Sequence, residues 1–201
     1  MHIYSYLALG DSYTIGEGLS LHQSFPYKVV QLLRKKEYSF NAPEIIAKTG
    51  WTTDELSDTI NKYNLLSKYD FVSLLIGVNN QFRGRDAIEY KEQFEELLKK
   101  GIELANGKRD RVIIISIPDY SLTPHGKSMD VEKISKDIEV FNGINKALSI
   151  QYKVQYVDIT TESKQAQVTS DLFTQDGLHP SDKEYSKWAE KIATVITSQL
   201  K

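Results

Sequence analysis

Five short runs of aliphatic, β-branched and aromatic residues recur along the chain, with helix-periodic stretches between them. That alternation admits few folds, because strands that alternate with helices build a parallel sheet covered on both faces. The runs occupy residues 3–9, 41–47, 70–76, 111–117 and 154–159. In the second, Ile45 and Ile46 form the buried part. The third is the most apolar, as suits a central strand buried on both faces. The fourth contains four consecutive β-branched residues, Val112–Ile115. The expectation is a three-layer α/β/α sandwich around five parallel strands in the flavodoxin-like order 2-1-3-4-5. The 201 residues show no repeat, low-complexity segment or linker-like shift in composition, so one domain is expected over 1–201.

The helices carry their own punctuation. Residues 13–22, loosened by Gly16 and Gly18, read as a loop. Ser24 can cap a helix with Pro26 in its first turn and Phe25, Val29, Leu32 and Leu33 on one face. Thr52 and Glu55 have capping-box spacing, so a helix should begin just after Gly50. A further helix carries Tyr90, Phe94, Leu97, Leu98, Ile102 and Ala105 and stops at Asn106-Gly107. Residues 119–130 form a longer loop, followed by a helix with Val131, Ile134, Ile138, Phe141, Ile144 and Leu148 along one face. Residues 160–175 are polar and irregular. Ser181 and Glu184 repeat the capping-box spacing before a last helix with a stripe from Tyr185 to Leu200.

Composition excludes several functions. A formal net charge of −2 gives no reason to expect a nucleic-acid or anionic-membrane partner. With no cysteine, disulfides, thiol catalysis and zinc–thiolate sites are excluded together. The longest apolar run, near residues 71–76, is far too short to span a bilayer. The chain enters its first strand almost at once and shows no signal peptide, so a cytoplasmic location is expected, or a secreted or periplasmic one for a processed form. Gly16-Glu17-Gly18 has the wrong spacing and comes too late for a dinucleotide-binding fingerprint, and no P-loop is present. A phospho-acceptor receiver domain would need an aspartate ending the third strand, where this chain has Ile76-Gly77.

The first strand runs into Gly10-Asp11-Ser12-Tyr13. Gly10 permits a sharp turn, and Asp11 and Ser12 fall at the carboxyl end of the strand, where open α/β sheets place their ligands. A serine hydroxyl needs a base to become a nucleophile, and the base works best when a carboxylate orients it. Of the four histidines, His179 stands out: Asp176 lies three residues before it in a glycine-containing turn, close enough to fold back onto the imidazole. His2 precedes the first strand, and His22 and His125 lie in loops whose neighbours offer no recognisable charge partner. Taken singly, Gly-Asp-Ser reads equally as a plain turn, and Asp-x-x-His as an Asx-turn with a surface histidine.

Together the motifs resemble those of the GDSL/SGNH hydrolases, a family of esterases and lipases named for a Ser, Gly, Asn and His in four short blocks. Gly10-Asp11-Ser12-Tyr13 is similar to the first block, Gly50 with Thr52 to the second, Gly77-Val78-Asn79-Asn80 to the third, and Asp176-Gly177-Leu178-His179-Pro180 to the last. They run in family order over nearly the whole chain. Ile117-Pro118-Asp119-Tyr120 with Thr123-Pro124 also looks like a segment common in bacterial members. The resemblance implies a serine esterase with Ser12 as nucleophile, His179 as general base and then acid, and Asp176 orienting it. It further implies an oxyanion hole made by the Ser12 amide, the Gly50 amide and the Asn79 side chain, with no metal and no cofactor.

Tyr13 stands where the motif has leucine, and Asn80 where the third block usually has aspartate. These departures bear on the pocket, which Tyr13, Trp51, Asn80, Phe82, Tyr120 and His125 could line, although each also suits simple loop packing. The family pattern puts the oxyanion donor two residues after Gly77. Alternation at a strand end would then point Asn79 and Asn80 apart, leaving Asn80 to hold the turn. The implied partner is a small-molecule acyl ester: short acyl esters, acetylated sugars, lysophospholipids and thioesters all fit, and the oligomeric state is open. A catalytically silent ligand-binding relative of the same fold is the alternative reading; the intact Ser12, Asp176 and His179 argue against it.

Overall fold

A computed structural model describes residues 2–161 and 170–200. Residues 162–169, within the stretch expected to be irregular, lie outside the described residues. Strands β1 (Tyr6–Gly10), β2 (Glu44–Ala47), β3 (Phe71–Leu75), β4 (Val112–Ile115) and β5 (Gln155–Val157) form one parallel sheet in the order β2-β1-β3-β4-β5. Each strand is shorter than its apolar run, because pairing stops where the chain turns away into a connection. β1 sits between β2 and β3, with Leu9 opposite both Ile46 and Leu74. Every residue of β1, β3 and β4 is buried, whereas the short edge strands β2 and β5 are only partly so. Short edges limit the unpaired backbone a sheet offers to other chains.

The α-helices among the described residues include α1 (Ser12–Ile15), α2 (Phe25–Lys35), α3 (Thr53–Ile60), α4 (Val78–Phe82), α5 (Ala87–Leu104), α6 (Val131–Tyr152) and α7 (Asp182–Ser198). α2 packs on α7, while α3 packs on α5 and α5 on α6. Right-handed crossovers account for the two groups. The β1–β2 connection runs one way along the sheet and the later connections run the other, so their helices cover opposite faces. Trp188, Tyr185 and Phe25 fill the α2–α7 side, and Tyr90, Phe94 and Phe141 the other.

Four local expectations change. Residues 13–22 are not all loop: Asp11 caps a helical turn at Ser12–Ile15, and Gly16 ends it at φ +77° with its N–H on the Ser12 carbonyl at 3.1 Å. Ser24 begins α2, but its hydroxyl donates to the Leu21 carbonyl at 2.7 Å rather than capping the helix. The Thr52–Glu55 box forms in full, yet only half of the Ser181–Glu184 one does. Glu184 is drawn to Lys187 Nζ at 2.8 Å and the Trp188 indole at 3.3 Å. Finally, Gly77-Val78-Asn79-Asn80 does not prolong a strand end: α4 begins at Val78 and places both asparagines on a helix.

Gly10 is required for a different reason from the expected turn. A Cβ there would lie 2.1 Å from Thr14 Oγ1 and 2.4 Å from the Leu75 carbonyl oxygen. The first helical turn therefore folds directly back over the end of β1, against β3. Overpacking of this kind costs roughly 1–3 kcal/mol. Gly10→Ala should lower the stability to chemical denaturation by at least that much, read as a fall in the unfolding midpoint; an unchanged midpoint would mean that α1 can lift away.

Candidate active site

The site is assembled from four loops at the carboxyl edge of the sheet. At the end of β1, Asp11 has extended backbone and its Oδ1 accepts the Tyr13 N–H at 3.0 Å. Ser12 is thereby the first residue of α1, and the first N–H groups of a helix have no partner within it. Beneath the turn, the Tyr185 hydroxyl donates to the Tyr13 carbonyl at 2.9 Å, tying the serine-bearing turn to α7. The Tyr13 ring lies against His179, with centroids 5.0 Å apart, and against Trp188.

The turn before α7 arranges the histidine. Gly177 adopts φ +67°, which lets the chain double back on Asp176. Asp176 Oδ1 accepts from Leu178 N at 2.8 Å, His179 N at 3.0 Å and Thr174 Oγ1 at 2.7 Å, and Oδ2 lies 2.6 Å from His179 Nδ1. Partial burial works against the charge, but the hydrogen bonds from the His179 ring, the His179 and Leu178 amides and Thr174 prevail, and the carboxyl stays well below the usual carboxylate range. An ionised Asp176 only accepts, so Nδ1 carries the proton and Nε2 is left as the basic nitrogen. The loop is stiffened by a bridge between Phe173 and Pro180 and by a bond from Thr174 N to the His179 carbonyl at 2.8 Å.

The remaining loops follow β2 and β3. Trp51 N donates to the Lys48 carbonyl at 3.2 Å, and Gly50 has φ +85° while Thr49 does not have positive φ. This is a type II turn, and its third position demands glycine. On α4, Asn79 Nδ2 donates to the Trp51 carbonyl at 3.0 Å. Asn80 turns away: its Oδ1 accepts from Thr53 N at 3.1 Å and its Nδ2 donates to Thr53 Oγ1 at 2.7 Å. The two asparagines diverge because successive helical residues are about 100° apart, not because strand side chains alternate. Asn80 holds the start of α3 rather than its own turn.

Ser12, Gly50, Asn79 and His179 line one cavity of about 290 Å³, while Asp176 stands behind His179. Of the residues expected in the pocket, Tyr13, Phe82, Tyr120 and His125 line it. Trp51 and Asn80 do not, because the Trp51 ring packs on the core and the Asn80 amide is spent on Thr53. Thr49, Val78 and Leu178 also line the cavity. Sequence reasoning passed over these three, and their signal was adjacency, since each is next to a motif residue. Among the described residues no cluster of acidic or histidine side chains could hold a metal ion, and no helix is long and apolar enough to cross a membrane.

The sequence profile of the GDSL-like lipase/acylhydrolase family matches residues 8–187. The chain belongs to that family. As a member it is an esterase/lipase-type hydrolase, with a small-molecule ester as its class of substrate. Solved structures share the GDSL fold at low identity. A lipase/acylhydrolase from Enterococcus faecalis superposes with a TM-score of 0.76 at 20% identity, covering 98% of this chain and 96% of its own. The acetylxylan esterase Axe2 from Geobacillus stearothermophilus gives 0.75 at 19%, covering 96% and 94%. The psychrotrophic esterase EstA from Pseudoalteromonas sp. gives 0.71 at 18%, covering 98% of each chain. No curated protein sequence matches this GDSL hydrolase.

Asp11 is an unusual neighbour for a candidate nucleophile. Its side chain is completely buried, Oδ2 has no hydrogen-bond partner among the described residues, and burial, only partly offset by the Tyr13 amide, raises its pKa to about 7. The folded protein then binds a proton that the unfolded chain releases near the ordinary carboxyl value of 3.8, so this group's contribution to stability falls as pH rises from 3.8 to about 7. Asp11→Asn keeps an acceptor for the Tyr13 amide and removes the charge. Relative to wild type, the variant should gain thermal stability progressively over that pH window and level off above it. Parallel melting-temperature curves would show that Asp11 does not titrate there.

Proposed function

We propose that this chain hydrolyses acyl esters through an acyl-Ser12 intermediate. The observation that carries the reading is the 2.6 Å contact between Asp176 Oδ2 and His179 Nδ1, behind a cavity that His179 shares with Ser12, Gly50 and Asn79. In the first half-reaction His179 Nε2 takes the Ser12 hydroxyl proton as Oγ attacks the ester carbonyl. The carbonyl π pair moves onto oxygen, and the resulting oxyanion meets the Ser12 N–H, the Gly50 N–H and Asn79 Nδ2. Collapse of the tetrahedral intermediate breaks the bond to the alcohol oxygen, which leaves with the proton from Nε2. Water repeats the sequence on the acyl-serine: His179 takes its proton, the C–Oγ bond breaks, and the proton returns to Ser12 as the acid departs.

Asp176 holds the imidazole in one tautomer and stabilises the imidazolium that forms twice in each cycle. Asn79 is suited to its part because one amide hydrogen is anchored on the Trp51 carbonyl, which fixes the direction of the other. Donors fixed before the reaction stabilise developing charge without reorganising. Tyr13, Val78, Phe82, Tyr120 and Leu178 supply apolar wall around these groups, which suits an uncharged acyl chain.

A serine-reactive phosphonate should label Ser12 and stop ester hydrolysis, and Ser12→Ala should be inactive with the fold retained. Asp176→Asn should lower kcat by ~10² to 10⁴-fold through the wrong histidine tautomer. Labelling at another serine, or full activity in Ser12→Ala, would remove the nucleophile assignment.

The two asparagines make a separate pair of predictions. Asn79→Ala should cost about 10² to 10³ in kcat with little change in KM, since the donor acts mainly in the transition state. Asn80→Ala should instead lower the unfolding free energy by ~1–3 kcal/mol, because it strands the Thr53 amide, while the Thr53 hydroxyl keeps its bond to Gln93. Measuring kcat and the unfolding midpoint for both variants separates the two roles, and a reversed pattern would move the oxyanion donor to Asn80.

A further inference from the structure

The Gly50 N–H is unlike the other two proposed oxyanion donors in how it is held. Ser12 is fixed by a capped helical turn against α7, and Asn79 is anchored on α4. Gly50 instead sits in the middle of an isolated turn, at a left-handed φ of +85°, and its N–H has no partner among the described residues. A loop glycine has the least intrinsic restraint of any residue. Something beyond the turn must therefore keep this amide in place.

Two side chains grip the turn, one on each side of that N–H. Before it, the Thr49 hydroxyl donates to the carboxylate of Glu17. Glu17 belongs to the nucleophile's own segment, since its amide closes on the Ser12 carbonyl at 3.1 Å. After it, Arg83 Nη2 donates to the Gly50 carbonyl at 2.7 Å. Arg83 ends α4, with its amide on the Asn79 carbonyl at 3.0 Å. Its other nitrogen, Nη1, lies 3.3 Å from Glu55 Oε2, the carboxylate that caps the next helix at Thr52 N. Each grip thus reaches the turn from a segment that carries another of the three donors.

We propose that Arg83 and Glu17 are positioning residues that cross-brace the Lys48–Trp51 turn, so that the Gly50 N–H stays in register with the donors of Ser12 and Asn79. The proposal rests on the reading of the Gly50 N–H as an oxyanion donor. Neither side chain touches the substrate. Their effect is geometric, and it is large because misplacing a reacting group by about 1 Å can cost ~10²-fold in rate. The surface ion pair between Arg83 and Glu55 is not the point of the contact, since half-exposed pairs contribute little stability.

Arg83→Met keeps the length of the side chain and removes every donor. It should lower kcat by about 10-fold, between no effect and the loss of a whole oxyanion donor, with KM little changed. Amide NMR supplies the readout that a merely structural role would not move. A p-nitrophenyl alkylphosphonate places a phosphoryl oxygen where the oxyanion forms, so in the wild-type adduct the Gly50 amide proton should shift downfield. In Arg83→Met that shift should shrink. A full shift with unchanged kcat in the variant would overturn the bracing while leaving the donor reading intact. No shift in the wild-type adduct would instead remove Gly50 as a donor, and the bracing with it. Should Arg83→Met fail to fold, Glu17→Met cuts the other brace at a residue that does not line the cavity, and the same two readouts decide in the same way.

Discussion

The whole arrangement depends on the position of β1 between β2 and β3. In a parallel sheet every strand delivers its chain to the same edge, but the connections after β1 and β3 leave in opposite directions, over opposite faces. The loops therefore part at that point and leave a cleft. Ser12 emerges from β1, the Gly50 turn from β2 and Asn79 from β3, so three adjacent strands feed its rim. The turn carrying Asp176 and His179 arrives from far along the chain and is set by the docking of α7 beside α2. Geometry at the edge of one sheet thus does most of the work of bringing distant residues together.

Holding these loops in register requires polar groups inside the protein, and each is paired with care. The buried Tyr185 hydroxyl bonds the Tyr13 carbonyl and the buried Asn80 amide bonds the Thr53 amide and hydroxyl, while the exposed Asp176 carboxylate gathers the Leu178 and His179 amides. A buried polar group left without a partner costs more than a made hydrogen bond returns, so such pairings specify one loop arrangement rather than merely adding stability. Among the described residues Asp11 Oδ2 is an exception, as are Thr14 Oγ1 and Asn145 Nδ2. Asp11 satisfies Tyr13 through one oxygen and buries the other, an electrostatic cost tolerated at the turn that presents the serine.

α4 has an outsized part for a helix of five residues. Asn79 holds the Trp51 carbonyl, Asn80 the Thr53 amide and hydroxyl, and Arg83 the Gly50 carbonyl, so one turn of helix grips the loop after β2 at three successive points. Gly77 lets the chain enter this helix at φ +128°, at a place where a Cβ would collide with the Tyr90 ring at 2.6 Å. Tyr90 in turn donates from its hydroxyl towards the Ile76 carbonyl and Asn145. The proposed oxyanion donors are thereby coupled to the core beneath them.

Much of this is legible in the sequence. Strand and helix periodicities are local properties, and right-handed crossovers leave few ways to join them, so the five-stranded parallel sheet and its order followed from the sequence itself. Asp176 and His179 were readable for the same reason: three residues and a glycine suffice to bring a carboxylate onto an imidazole. What the sequence could not express was anything that depended on a partner far along the chain. Gly10 reads as a turn residue, yet its need is set by Leu75 on another strand and by Thr14 folding back. Trp51 and Asn80 read as pocket residues beside motif positions, but the core claims the indole and Thr53 claims the amide. Arg83 and Glu17 belong to none of the four motif blocks, and only packing of the loops brings both to the Gly50 turn. Local periodicity and short-range chemistry belong to the sequence by itself; which polar atoms meet across the sheet edge is decided by tertiary structure, because those contacts exist only after the strands have paired.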